Sequence, residues 1–327
     1  MITASICAFL IIAMLGPARA AAEDVPQAQD LIKAYKDATT FSKVRPYEIT
    51  AAIEINPASP GTQSGRITIY REEQRSRVEL QFAKYQDVKV RLGDKLYVFR
   101  STGYPAPGLQ TVQQIIEGTR VPGFESAKFS SAKSKKVDGQ PAYCVQIKPK
   151  DYFGSTDCFD AQTKLLLRST DDFEETRFFE YHTFEQVQFP SRIEVLKQGR
   201  KVLEIKDIDV RKFQAGPETF AIPENSREFE TCDQPHAPTP IKTPDPAFPP
   251  EADAMYKRGV REETRVYAYG IVQKDGSFTD IKVLYAESAP FEQAVIQRLQ
   301  QWKFKPATCG GNPIAFETQV EVKFERD

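Results

Sequence analysis

Cysteines are the side chains with the most chemistry to offer in this sequence: five are present, against two histidines. Cys7 falls in an apolar N-terminal run, so Cys144, Cys158, Cys232 and Cys309 remain once that run is removed, an even number. In an oxidising compartment an even set of thiols points to disulfides. Tyr143 to Ile147 and Thr156 to Phe159 are apolar-alternating runs placed symmetrically about Asp151. A hairpin centred there sets Cys144 opposite Cys158 at a cross-strand spacing that a disulfide spans. Cys232 and Cys309 then pair by elimination, which ties the start of a proline-rich stretch to a loop before the last strand. No metal site is expected, because no second cysteine lies at zinc-ligand spacing and histidine is scarce.

Catalysis finds little to work with. A nucleophile and base need a positioned histidine or its equivalent. His236 lies in the proline-rich stretch, and His182 sits in Phe179-Glu-Tyr-His182-Thr-Phe184, where it reads as a half-exposed strand residue. No glycine-rich phosphate loop precedes a helix, and Gly310-Gly311 is turn chemistry. The acid pairs Asp171-Asp172 and Glu174-Glu175 stand among many other acids and read as solvated loop charge. No catalytic residue and no cofactor is assigned, and the chain is expected to act by binding rather than as an enzyme. With 44 basic against 45 acidic residues and no dense basic run except Lys133-Ser-Lys-Lys136, nucleic acid is not an expected partner.

Binding surfaces must then come from the elements. A chain of 327 residues exceeds one average domain. Ile6 to Gly16 is an apolar run of signal-peptide length, followed by Ala18-Arg-Ala20-Ala, a small-x-small cleavage pattern. A signal peptide over residues 1–22 is expected, and with it a periplasmic protein. An uncleaved run anchoring the chain in the inner membrane is the alternative. Residues 23–232 form the expected first domain. Val25, Ala28, Leu31, Ile32, Tyr35 and Ala38 step along one helix face. Strands follow in quick succession, with Val78, Leu80 and Phe82, then Val88, Val90 and Leu92, alternating against polar residues. Period two across neighbouring short strands predicts an antiparallel meander with one dry face. A second helix is expected at Leu109 to Glu117, and further strands run from Tyr143 to Phe213. The class is α+β, dominated by one large sheet that curls, with helices against its concave apolar side.

Residues 233–250 carry Pro235, Pro238, Pro240, Pro244, Pro246, Pro249 and Pro250 and predict a polyproline II linker. Such a spacer reaches roughly 55 Å at ~3.1 Å per residue and would hold two domains apart. Residues 251–327 read as a helix at Glu251 to Lys257, a hairpin from Val266 to Tyr285 turned at Asp275-Gly276, a helix, and a last strand. In the second helix Phe291, Ala294, Val295, Leu299 and Trp302 share a face, with Ser288 and Pro290 at its start.

This order and these residues resemble the C-terminal domain of the TonB energy-transducer family. The resemblance rests on Pro246-Ala-Phe248-Pro249, with phenylalanine where the family has tyrosine, on Val272 through Gly276, and on Trp302-Lys-Phe304-Lys-Pro306-Ala307. Gly311-Asn-Pro313 and Val320-Glu-Val-Lys-Phe324 complete it. It implies capture of a short segment of an outer-membrane transporter or another cell-envelope protein. The last strand, with Ile314, Phe316, Thr318, Val320 and Val322, is expected at a sheet edge whose free backbone groups pair with such a segment. Glu317, Glu321 and Lys323 on its other side read alternatively as charges that discourage pairing. The sequence departs from the family at Thr264, at Ala286-Glu-Ser288 and at Glu292, and by its short linker and cleavable N-terminal run. Residues 23–232 look like the incomplete β-barrel of lipoprotein-carrier families of the LolA and LolB type. That resemblance implies a concave face able to hold lipid or acyl chains, with Val78, Leu80, Phe82, Val88, Val90 and Leu92 as the lipid-facing candidates beside their reading as ordinary core.

Overall fold

Strict apolar–polar alternation becomes a continuous antiparallel sheet in the computed structural model. The structure describes residues 25–41, 44–57, 63–106, 109, 112–117, 127–149, 154–232, 235–251 and 263–325. The apolar N-terminal run read as a signal peptide, and all but the first residue of the helix expected at Glu251 to Lys257, lie outside the described residues. Helix α1 (Ala28–Thr39) leads into β1 (Tyr47–Ile55), β2 (Gln63–Arg71), β3 (Arg75–Phe82), β4 (Tyr85–Leu92) and β5 (Lys95–Arg100). After α2 (Val112–Ile116) come β6 (Lys128–Phe129), β7 (Lys133–Val137), β8 (Gln140–Lys148), β9 (Ser155–Asp160) and β10 (Leu166–Thr170). Then follow β11 (Glu175–Phe184), β12 (Val187–Lys197), β13 (Arg200–Arg211) and β14 (Arg227–Glu230).

These strands make one 14-stranded sheet in the order β14-β5-β4-β3-β2-β1-β13-β12-β11-β10-β9-β8-β6, with β7 also on β8. Two meanders are joined where β1 meets β13, and the two ends do not pair, so the sheet curls without closing. Its concave side is lined by Ile49, Ile53, Ile67, Ile69, Ile193 and Ile205, none more than 0 % exposed. α1 lays Leu31 and Ile32, and α2 lays Val112, Ile115 and Ile116, into that same core. The first helix spans Ala28–Thr39, shorter than its apolar run predicts, and Val112–Ile116 are helical within the second expected stretch, part of which lies outside the described residues. The convex side is covered at one end by a strap, in which Phe213, Ala215 and Phe220 pack on Val88 and Val90.

The C-terminal half has its own core. β16 (Glu263–Val272) lies between β17 (Phe278–Tyr285) and β21 (Phe316–Glu325) in a 3-stranded sheet. Helix α3 (Ala289–Leu299) buries Phe291, Val295 and Leu299 completely against one face. Ser288 stands at its N-cap, but the hydroxyl makes no capping hydrogen bond, so the first turn relies on Pro290 and on the Ser288 carbonyl, which accepts from Glu292 N at 3.3 Å. Two short ribbons complete the half: β15 (Thr239–Lys242) with β18 (Lys303–Lys305), and β19 (Ala307–Cys309) with β20 (Asn312–Ile314).

The proline-rich stretch is therefore not a free spacer. Thr239 and Pro240 pair opposite Lys305 and Phe304, Pro244 O accepts from Trp302 Nε1 at 3.3 Å, and Phe248 stacks edge-on against Phe291 with centroids 5.4 Å apart. Proline lacks an N–H but keeps its carbonyl, and the residues between supply donors, so the segment can still join a ribbon.

Candidate functional site

The last strand begins later than the sequence predicts. Ile314 belongs to β20, opposite Ala307, and is buried; the chain breaks at Ala315 and restarts at Phe316. From there β21 pairs with β16 over its whole length, Phe316 opposite Val272 and Thr318 opposite Gly270. Among the described residues, no strand pairs with its other side. Val320 and Val322 point into the core beneath α3. Thr318 is half-buried, and Gln319, Glu321 and Lys323 are exposed on the opposite face. The geometry thus keeps Phe316, Thr318, Val320 and Val322 on one edge strand and removes Ile314 from it.

A second feature was not legible in the sequence. The face of the C-terminal sheet away from α3 docks on the concave side of the large sheet. Tyr269 and Ile271 of β16 are buried against Val98 of β5 and Phe229 of β14. Arg100 of β5, its side chain 6% exposed, donates to both Glu317 oxygens at 2.5 and 2.9 Å and to Asp87 at 3.0 Å. The Tyr269 hydroxyl donates to Glu317 at 2.6 Å. Burial alone would raise the Glu317 carboxyl, but the hydrogen bonds and charge of Arg100, with Tyr269 and the nearby Lys89, outweigh it and hold the pKa below its ordinary value. Arg227 pairs with Asp280 and Lys274 with Glu230 at the rim. The Cys232–Cys309 disulfide fastens the two halves, and Cys144 bonds to Cys158 across β8 and β9 as the hairpin reading expects. Glu317 is accordingly an interdomain anchor, and not one of the charges that keep an edge apart from neighbours.

Between the halves lies a cleft of about 990 Å³. Ile314 to Glu317 form one wall; Ile32, Tyr35, Phe41, Val78, Phe159 and Phe178 form the apolar interior. Lys36, Arg45, Lys89 and Arg91 stand around it. Its carboxylates already have donors: Glu117 from Arg71, Asp157 from Ser169, Glu230 from Lys274 and Glu317 from Arg100. Burial, with Asp157 beside it, pushes the Tyr35 hydroxyl up to about 12, so it stays a neutral donor.

The lipid-facing candidates divide between two faces. The β3–β4 register sets Val78 opposite Lys89 and Leu80 opposite Asp87, so Val78, Leu80 and Phe82 face the concave core. Val88, Val90 and Leu92 face the convex strap instead, with Phe220 and Phe213. The apolar alternation of β4 is real, but the strand is covered on both sides, and only pairing decides which set points inward. The inward set is Asp87, Lys89 and Arg91.

The motif residues meet in space. Gly276 adopts φ +79°, and its carbonyl accepts from Phe304 N at 2.9 Å; a Cβ there would lie 2.0 Å from the Phe304 carbonyl oxygen. The hairpin turn and the Trp302-Lys-Phe304 strand are thus one contact. Residues 244–325 match the family model for the C-terminal region of the Gram-negative bacterial TonB protein. This stretch belongs to the TonB C-terminal family. The TonB C-terminal domain of Pseudomonas aeruginosa is 30% identical, covering 28% of this chain and 85% of that one, with a TM-score of 0.21. A LolA superfamily protein from Nitrosomonas europaea covers 60% of this chain and 98% of its own at 12% identity and a TM-score of 0.44. The MucA/MucB complex of Pseudomonas aeruginosa covers 76% of this chain and 81% of that chain at 12% identity and a TM-score of 0.26. No curated protein matches the chain. Outside the TonB C-terminal domain, no group of three or more His, Cys, Asp or Glu among the described residues is placed to hold a metal, and the same holds within it. No helix among them is long and apolar enough to cross a membrane.

Proposed function

We propose that the protein is a non-enzymatic periplasmic binding protein whose TonB C-terminal domain takes an extended segment of an outer-membrane transporter, or of another cell-envelope protein, onto the open side of β21, in transmembrane transport. The observation that carries this reading is that β21 has β16 on one side and no strand on the other among the described residues. Unpaired backbone donors and acceptors on an edge strand recruit an extended chain by main-chain hydrogen bonds. A photoreactive residue placed at Gln319, exposed on that strand, is expected to cross-link in cells to an outer-membrane protein, whereas the same residue at the exposed Lys212, just past the end of β13, does not. Equal labelling from both positions, or none from Gln319, removes the reading.

A second reading is favoured by the cleft, whose interior is apolar and large enough for a chain of methylenes. On it the protein is a lipid or lipoprotein carrier or sensor, with Val78 at the cleft and Leu80 and Phe82 in the concave core behind it. Native mass spectrometry of protein purified from the periplasm separates the two, since co-purifying acyl species support the carrier and their absence supports the peptide binder.

A further inference from the structure

The basic run Lys133-Ser-Lys-Lys136 becomes part of a larger surface in the fold. It makes up most of β7, at the end of the large sheet opposite in strand order to β14 and β5. Directly opposed residues of an antiparallel pair share a face of the sheet. Tyr143, Val145 and Ile147 of β8 point into the concave core, so Ala142, Cys144, Gln146 and Lys148 point outward. Pairing then puts Lys135 beside Ala142, Lys133 beside Cys144 and Lys128 beside Lys148, all on that outer face. Arg168, opposite Cys158 on β10, adds a fifth cation to it. The four lysines are exposed, and among the described residues none of the five cations has a hydrogen bond or an ion pair.

Like charges set directly across a ladder repel each other, as Lys128 and Lys148 must. Lysines on a border strand discourage sheets from joining edge to edge, which accounts for β7. That role does not call for Lys148, which lies one strand in and is covered by β6. Acids on the same face are already engaged: Asp160 accepts from Gln140, Gln162 and Thr163, and Glu175 pairs with Arg177. Asp138 stands in the turn after β7 and acts on Arg177 as well.

We propose that this outer face is a docking surface for a membrane bearing anionic phospholipid, whose headgroup phosphates supply the counter-charges. No residue of β21 takes part, so the surface stands apart from the edge-pairing reading. A lysine is a hydrated point charge on a flexible stem, and it meets a phosphate without fixed geometry. Lys133 and Lys135, two residues apart on one strand, sit about 7 Å from each other and can reach one plane together with Lys128 and Lys148. A protein partner would need apolar anchors at the centre of the contact, whereas Gln146 and Thr156, which lie between the lysines and β10, are polar.

The test uses protein purified from the periplasm, mixed with vesicles of phosphatidylcholine alone or of equal parts phosphatidylcholine and phosphatidylglycerol. Cosedimentation is expected with the anionic vesicles only, and is lost in about 0.5 M salt, where screening shortens to a few ångströms. Lys128→Gln with Lys148→Gln is expected to weaken it by about tenfold or more. Lys84→Gln with Lys282→Gln makes the same change of net charge at exposed positions off this face and is expected to leave binding unchanged. Lys128→Glu is expected to weaken binding while holding or raising the melting temperature, because it sets an opposite charge against Lys148. If neutral vesicles bind equally, or neither kind binds, the proposal falls. If both double variants weaken binding alike, net charge alone is at work and this face is not the site. Capture of polyglutamate with no binding of anionic vesicles overturns the membrane in favour of an acidic protein partner.

Discussion

Glu317 shows how one side chain changes meaning between sequence and structure. In the alternation of the last strand it stands with Glu321 and Lys323 on the polar side, and nothing local separates the three. In the fold it is gripped by Arg100 and Tyr269 from two different sheets. A carboxyl whose folded pKa is depressed stabilises the contact at pH values above its unfolded value, and that contribution is lost as pH falls through the folded value. Docking of the two halves is therefore expected to be full at neutral pH and to weaken on acidification below about pH 4.5, the ordinary glutamate range. Glu317→Gln removes this acid dependence and weakens docking at pH 7, because Arg100 then keeps a buried charge with Asp87 alone. Small-angle scattering across pH 3 to 8 on both proteins checks it; identical profiles for the two at every pH count against Glu317 as the anchor.

Helix α3 carries the core of the TonB C-terminal domain, and its cost of disruption follows from what it touches. Phe291 is fully buried, edge-on to Phe248 of the proline-rich segment and to Phe324 of β21, with centroids 5.4 and 4.9 Å away. Phe291→Ala is expected to cost roughly 3 to 5 kcal/mol, and to release residues 244–249 as well as the helix. Hydrogen exchange should show loss of protection in β16 and β21, while β1 and β13 keep theirs because their core is separate. Uniform loss across both halves would mean one cooperative unit instead. The face of α3 was legible because Phe291, Val295 and Leu299 follow the helical period. So was the meander from β1 to β5, from alternation alone. Short pieces such as β14, β15 and β18 to β20 were not, since three or four residues carry no period and are strands only because a partner strand binds them. For the same reason the inward face of β4 was misread: Val88, Val90 and Leu92 were the apolar set, but a strand buried on both sides offers no local clue to which set faces the helices.

At the scale of the whole chain, the two halves are held as one body by three kinds of contact that fail under different conditions. Val98, Phe229, Tyr269 and Ile271 supply an apolar seam, Arg100 and Glu317 an ion pair, and Cys232–Cys309 a covalent tie spanning 77 residues of sequence. Closing a loop of that length restricts the unfolded chain by roughly 4 kcal/mol on the chain-entropy model, whose mechanism is disputed. The more specific effect lies in the native state. Cys232 lies two residues past the end of β14, and Cys309 ends β19, so the bond ties the TonB C-terminal domain to the cleft wall that Cys232 helps to line. Cys232→Ser with Cys309→Ser is expected to leave each core folded but to let the halves part, raising the radius of gyration and increasing fluorescence of an apolar dye as the Tyr269–Ile271 seam opens. The loss should grow as pH falls from neutral to below the ordinary glutamate range, because acid then progressively removes the contribution of Glu317. By contrast, Cys144→Ser with Cys158→Ser, which removes a bond inside one sheet, should lower the melting temperature without changing the spacing of the halves. If both pairs of substitutions expand the molecule alike, the disulfide near the cleft is only another staple and the seam does not depend on it.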